Sequence, residues 1–255
     1  MKGRRKISMV SMLHYIRLFY RSVLLILLLI SYIRFRTYNG ETIMKNMEKY
    51  PAILYVIWAA FVVEMIMRFL PFRFESPGCQ KQFARNYIKS GNTEISIPDN
   101  NGTVLVALSW IVFNGIFGAL HMADVLDDGI MILLCSIYSV CDIICILFFC
   151  PFQTWFMKNK CCSVCRIYNW DYAMMFTPLF FVKGIYSWSL LALSVGLLLR
   201  WEITFYLHPE RFSEKTNDYL QCRNCTEKLC SHKKQLQSLW KQIESYTSER
   251  IRRLR

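Results

Sequence analysis

Charge is scarce in this sequence, and acidic charge scarcer: 19% of the 255 residues are charged, 18 of them acidic against 31 basic. With 54% hydrophobic residues and 15% aromatics, the composition is too apolar for an ordinary soluble domain. The strict alternation of lipid-facing strands is also missing, which argues against a transmembrane barrel. There is no Walker loop, dinucleotide fingerprint, zinc-protease helix or nucleophile elbow, so none of these catalytic classes is indicated. A nucleic-acid motif is lacking as well. The net charge of +13 sits in tails and short loops, where it reports orientation and attraction to anionic lipid.

What the chain does contain is long apolar runs. They lie near 13–33, 51–70, 103–122 and 130–149, each approaching the roughly 20 residues that carry a helix across about 30 Å of hydrocarbon. The expectation is an all-α, polytopic helical membrane bundle with about five to six membrane segments, residues 1–207, followed by a tail over 208–255. The basic start Met1-Lys2-Gly3-Arg4-Arg5-Lys6 precedes the first run, and no small-x-small cleavage site follows it. It reads as an uncleaved anchor whose N-terminus stays in the cytoplasm.

The fifth apolar stretch is ambiguous. Tyr172 to Leu207, drawn as one helix, would extend roughly 54 Å, well beyond the bilayer core. Pro178 and Lys183-Gly184 interrupt it. It is therefore either a short arm over 173–182 that returns through a full span from Ile185, or a single span continuing along the interface. The strongly basic tail after His208 favours a cytoplasmic C-terminus, and hence the returning form. Within that tail Leu236, Leu239, Trp240, Ile243, Tyr246, Ile251 and Leu254 recur at helical intervals among basic residues. They predict an amphipathic C-terminal helix suited to anionic lipid, or to a protein partner that the sequence does not name.

Polar residues inside the apolar runs are the first candidate site. Arg17 and Arg21 can snorkel to the nearer interface. Glu64 and Arg68, four residues apart, read as a self-paired couple. Asp142 sits near the middle of its run, where an unpaired carboxylate costs at least about 2.5 kcal/mol, so it needs a partner; Lys183 is the first choice. His121, Asp124 and Asp128 share a face if the third segment continues as helix, which would suit a divalent cation or a proton. The alternative is a solvated turn whose aspartates cap the next helix. Cys135, Cys141, Cys145 and Cys150 read as packing residues.

Cysteines elsewhere form the second candidate. Eleven are present, an odd count that does not suit a secreted disulfide framework. Cys161, Cys162 and Cys165 precede the ambiguous stretch, and Cys222, Cys225, Cys230 and His232 follow it. The two-residue spacer in Cys162–Cys165 and Cys222–Cys225 lets both sulfurs of one turn face a single ion. Four thiolates would hold zinc or an iron–sulfur cluster, with Cys161, Cys230 and His232 in reserve. This shared site exists only if the intervening stretch returns to the same face. The function expected is redox or metal handling by a cytoplasmic-face module. The alternatives are ion or solute transport through the intramembrane acidic residues, and a non-catalytic scaffold.

Overall fold

The computed structural model describes residues 9–38, 51–71, 77–96, 100–158 and 164–224. They form seven α-helices: α1 (Met9–Tyr38), α2 (Pro51–Phe69), α3 (Pro77–Gln82), α4 (Asn100–Met122), α5 (Asp128–Leu147), α6 (Asp171–Phe176) and α7 (Ile185–Leu207). No strand occurs among the described residues; an isolated antiparallel bridge joins Lys89 to Asn217. Four helices, in α1, α4, α5 and α7, are long and apolar enough to cross a membrane. The 19 residues of α2 would reach about 28 Å at 1.5 Å per residue. The described residues are those of a helical membrane protein.

Local chemistry sets the boundaries. Pro51 opens α2 at a first-turn position, where its missing N–H costs nothing. α4 and α5 are joined by a tight turn in which Asp124 takes a positive φ of 56°. Asp127 caps α5, its Oδ1 accepting from the Ile130 amide at 2.9 Å. α5 stops short of Pro151, and a π-helical turn follows over Phe152–Phe156. The start of α4 presses on that turn, since a Cβ on Gly102 would lie 2.7 Å from the Phe156 carbonyl oxygen.

Two ends of the bundle can be told apart. At the tip, the α4–α5 turn meets the far end of α1, where Tyr32 and Arg36 reach Asp127 at 3.1 and 3.2 Å. At the base lie the end of α2, the start of α4, the end of α5, and the polar segments 77–96, 164–170 and 208–224. Residues 171–184 lead from base to tip in short turns: Asp171 sits against Arg68, Thr177 accepts from the Trp110 indole at 3.1 Å, and Phe181 packs on Gly118 near His121. α7 then leads back to the base.

The base is held by buried polar side chains. Asn217 is fully buried; its amide donates to the Lys81 and Arg211 carbonyls at 3.0 and 2.8 Å and its oxygen accepts from the Tyr219 amide at 3.1 Å. Asn169 donates to Gln82 at 2.8 Å. Glu202 of α7 accepts from the Trp170 indole at 2.7 Å and pairs with Arg166. The loop after α2 therefore carries a short helix and one bridge, both packed on residues 208–224. The C-terminal helix expected over 233–255 lies outside the described residues.

α1 is built inside out relative to a soluble amphipathic helix. Its large apolar side chains, among them Phe19, Ile26, Leu27 and Ile30, face outward, while Ser11, His14 and Arg21 are buried. The spacing 11, 14, 17, 21 puts a polar stripe on one face, turned toward α5. Lipid tails solvate the apolar side, and the polar side finds its partners only within the protein.

Candidate functional site

The polar stripe of α1 meets carboxylates from two other helices, α2 and α5. Arg21 is 2% exposed; it donates to Glu64 of α2 at 2.7 Å and to the Ser139 carbonyl of α5 at 3.0 Å. It also lies 3.5 Å from Asp142, one turn after Ser139. Arg17 adds a second cation 3.6 Å from Glu64. Tyr20 donates to one oxygen of Glu64, and Tyr172 of α6 donates to the other at 2.9 Å. Arg68, one turn past Glu64, reaches Asp171 at 2.6 Å, and its guanidinium lies 5.5 and 5.2 Å from the ring centres of Tyr168 and Tyr172.

The partners differ from those the sequence suggested. Arg21 does not snorkel, because its guanidinium has two acceptors and a nearby carboxylate inside the bundle. The links of Glu64 and Arg68 run across the bundle, Glu64 to the arginines of α1 and Arg68 to Asp171 of α6. Asp142 lies beside Arg21 and not Lys183, which is exposed and makes no ion pair among the described residues.

Depth matters for what these groups can do. Glu64 and Asp142 each precede the base end of their helix by five residues, or about 7.5 Å of rise. The centre is set below the base surface, walled by apolar helix. Among the described residues its formal charge balances: Arg17, Arg21 and Arg68 stand against Glu64, Asp142 and Asp171. Such pairing is what keeps ionised groups tolerable at this depth. His14 lies beside this centre, 2% exposed, with no hydrogen-bond partner for either ring nitrogen among the described residues.

The carboxylates are unequally satisfied. Glu64 has two tyrosine donors and two arginines. Asp142 has the 3.5 Å contact to Arg21 and no hydrogen bond among the described residues, and its side chain is 20% exposed. That exposure opens on a cleft of about 130 Å³ between α4, α5, α6 and the Phe152–Phe156 turn, walled by Trp110, Tyr138, Phe152 and Met174, with Asp142 and Asp171 on its lining. Cys141, Cys145, Cys150 and Cys165 border the same cleft, whereas Cys135 packs in the core near Phe176 and Leu179.

At the tip, α4 ends at Met122, so His121, Asp124 and Asp128 do not share a helical face. His121 lies 3.3 Å from Asp128 and bonds the Leu126 carbonyl at 2.8 Å, while Asp124 is exposed. The turn is closed by the Asp127 cap.

Of the expected metal ligands, Cys165 is 3% exposed within an apolar cluster with Val106, Ile143 and Tyr168, and Cys222 is exposed. Cys161, Cys162, Cys225, Cys230 and His232 lie outside the described residues. Among the described residues no group of three or more His, Cys, Asp or Glu side chains is arranged to hold a metal ion. Arg166, next to Cys165 in sequence, is engaged by Glu202. Comparison with family models, with curated proteins and with solved structures finds no match.

Proposed function

We propose that this membrane protein translocates a proton or a small solute, with Asp142 as the exchangeable carboxylate of a charge-balanced centre. The observation that carries this reading is the contrast between Asp142 and Glu64. Glu64 is saturated with donors, as a structural carboxylate should be; Asp142 has spare acceptor capacity and borders a cleft. A buried carboxylate with lone pairs to spare can take up a proton or a donor group at low cost, while Arg21 returns it to the charged state. The buried Arg21–Glu64 pair keeps the surrounding geometry fixed during that exchange.

The test is flux in proteoliposomes under imposed pH and potential gradients. Wild type should show saturable proton or proton-coupled solute movement, and Asp142→Asn should reduce it at least about tenfold. Lys183→Met, altering the exposed lysine, should leave it unchanged. Equal flux in wild type and Asp142→Asn would refute the assignment.

A second reading is supported by the placement of the cysteine-bearing segments. Residues 164–170 and 218–224 both lie at the base, as a site shared by Cys162, Cys165, Cys222 and Cys225 requires. In that reading zinc or an iron–sulfur cluster, with Cys161, Cys230 and His232 in reserve, staples the tail to the preceding loop. Zinc, iron and acid-labile sulfide per chain, measured on anaerobically purified protein, decide it: a stoichiometric metal lost on Cys222→Ser supports the module, and a metal-free, stable protein eliminates it.

A further inference from the structure

The cleft beside Asp142 carries an inference about what binds there; it rests on the reading of Asp142 given above. We infer that the cleft is a binding site for the ring of a neutral, hydroxyl-bearing amphiphile, of the alkylphenol or hydroquinone class, with the hydroxyl donating to the Asp142 carboxylate.

Size sets the first constraint. A cleft of about 130 Å³ compares with the roughly 150 Å³ apolar cavity that accommodates benzene. One six-membered ring fits, and a second does not. The walls set the next. Trp110 and Tyr138 have ring centres 4.7 Å apart, and Phe152 lies 6.4 Å from Trp110. These rings, with Met174 on the same lining, suit an aromatic ring better than a branched chain.

Charge and hydrogen bonding set the rest. Among the described residues the three arginines match the three carboxylates, so an ammonium group brought into the cleft would add a positive charge with no carboxylate left over for it, in a medium that solvates it poorly. A hydroxyl adds a donor without adding charge. Asp142 has the spare lone pairs to accept it, whereas Asp171, on the same lining, is held at 2.6 Å by Arg68. Entry needs no aqueous channel if the ligand is lipid-soluble, because the outer faces of the bundle are apolar. Another cavity, about 120 Å³, is lined by Leu24, Ile57, Trp58, Ile132 and the Ser136 hydroxyl, which has no partner among the described residues; it has no charged lining residue and so offers a ligand hydroxyl no carboxylate acceptor.

The experiment uses the full chain in phosphatidylcholine nanodiscs. Saturable binding of 4-decylphenol, its methyl ether and 4-decylbenzylamine is compared on a membrane-concentration basis. The phenol should bind about tenfold more tightly than the ether, the size expected for one hydrogen bond to a charged acceptor, and more tightly than the amine. Asp142→Asn should bring the phenol-to-ether ratio toward unity. Ile146→Trp, which places a large side chain in the cleft, should abolish phenol binding in a protein that still unfolds cooperatively. Equal phenol and ether binding, tighter amine binding, a ratio unchanged in Asp142→Asn, or phenol binding undiminished in Ile146→Trp would each overturn the site. Asp142-dependent flux without saturable phenol binding overturns this ligand class and leaves the proposed function standing. Phenol binding of the expected pattern without flux supports the site and removes translocation.

Discussion

Arg21 of α1 and Glu64 of α2 lie 2.7 Å apart, and the arginine is 2% exposed. Removing Arg21 takes a cation from Glu64 and from Asp142 together, and removing Glu64 as well restores the balance of charge among the described residues. Arg21→Met should therefore destabilise the protein by about 3–5 kcal/mol, seen as a fall in the unfolding midpoint in detergent. Arg21→Met combined with Glu64→Met should recover much of that loss. A double variant as unstable as the sum of the two singles would mean that the pair is not coupled.

Arg68 binds Asp171 at 2.6 Å while its planar guanidinium faces Tyr168 and Tyr172. Lysine keeps the charge and loses the plane. Arg68→Lys should lower stability by about 1–3 kcal/mol and loosen α6, read as faster hydrogen exchange over 168–176. Exchange identical to wild type would remove the positioning role.

Phe181 occupies the space above Gly118, where a Cβ would come within 2.1 Å of its ring. Gly118→Ala should cost about 1–3 kcal/mol through overpacking. The loss should shrink in the Phe181→Ala background, measured as a double-mutant cycle. Strict additivity would show that the ring does not sit there.

Asn217 ties the segment at Lys81 to the segment at Arg211 from a fully buried position. Asn217→Ala takes the donor from one buried and one part-buried carbonyl, and should cost about 1–3 kcal/mol, the scale of a lost buried hydrogen bond. Protease sensitivity of the 208–224 segment should rise with it. Unchanged stability would place these bonds in solvent.

The apolar runs were readable because a bilayer imposes one length on every crossing helix. The polar stripe was readable too, had Ser11, His14, Arg17 and Arg21 been taken at their helical spacing rather than one by one: snorkelling suits an isolated cation, whereas a stripe needs an interior. Which carboxylate meets which arginine was not readable. Glu64–Arg68 and Asp142–Lys183 are each sensible by sequence distance, but the choice depends on how helices rotate about their axes, and that is set by packing around Phe61, Phe176 and Tyr172. Asn217 gave no signal either, because an asparagine in a polar loop looks the same whether it is solvated or holds two strands of chain together.

The balance of three arginines against three carboxylates has an electrical consequence. A centre with no net charge contributes only a dipole to the membrane field, so a change in potential does little to its energy. A proton taken up at Asp142 would give the same centre one unit of charge, and the field would then act on it by up to about 2.3 kcal/mol per 100 mV for a full crossing, and by a fraction of that at partial depth. In the proposed function, the protonation state of Asp142 would thereby be tied to the voltage across the membrane.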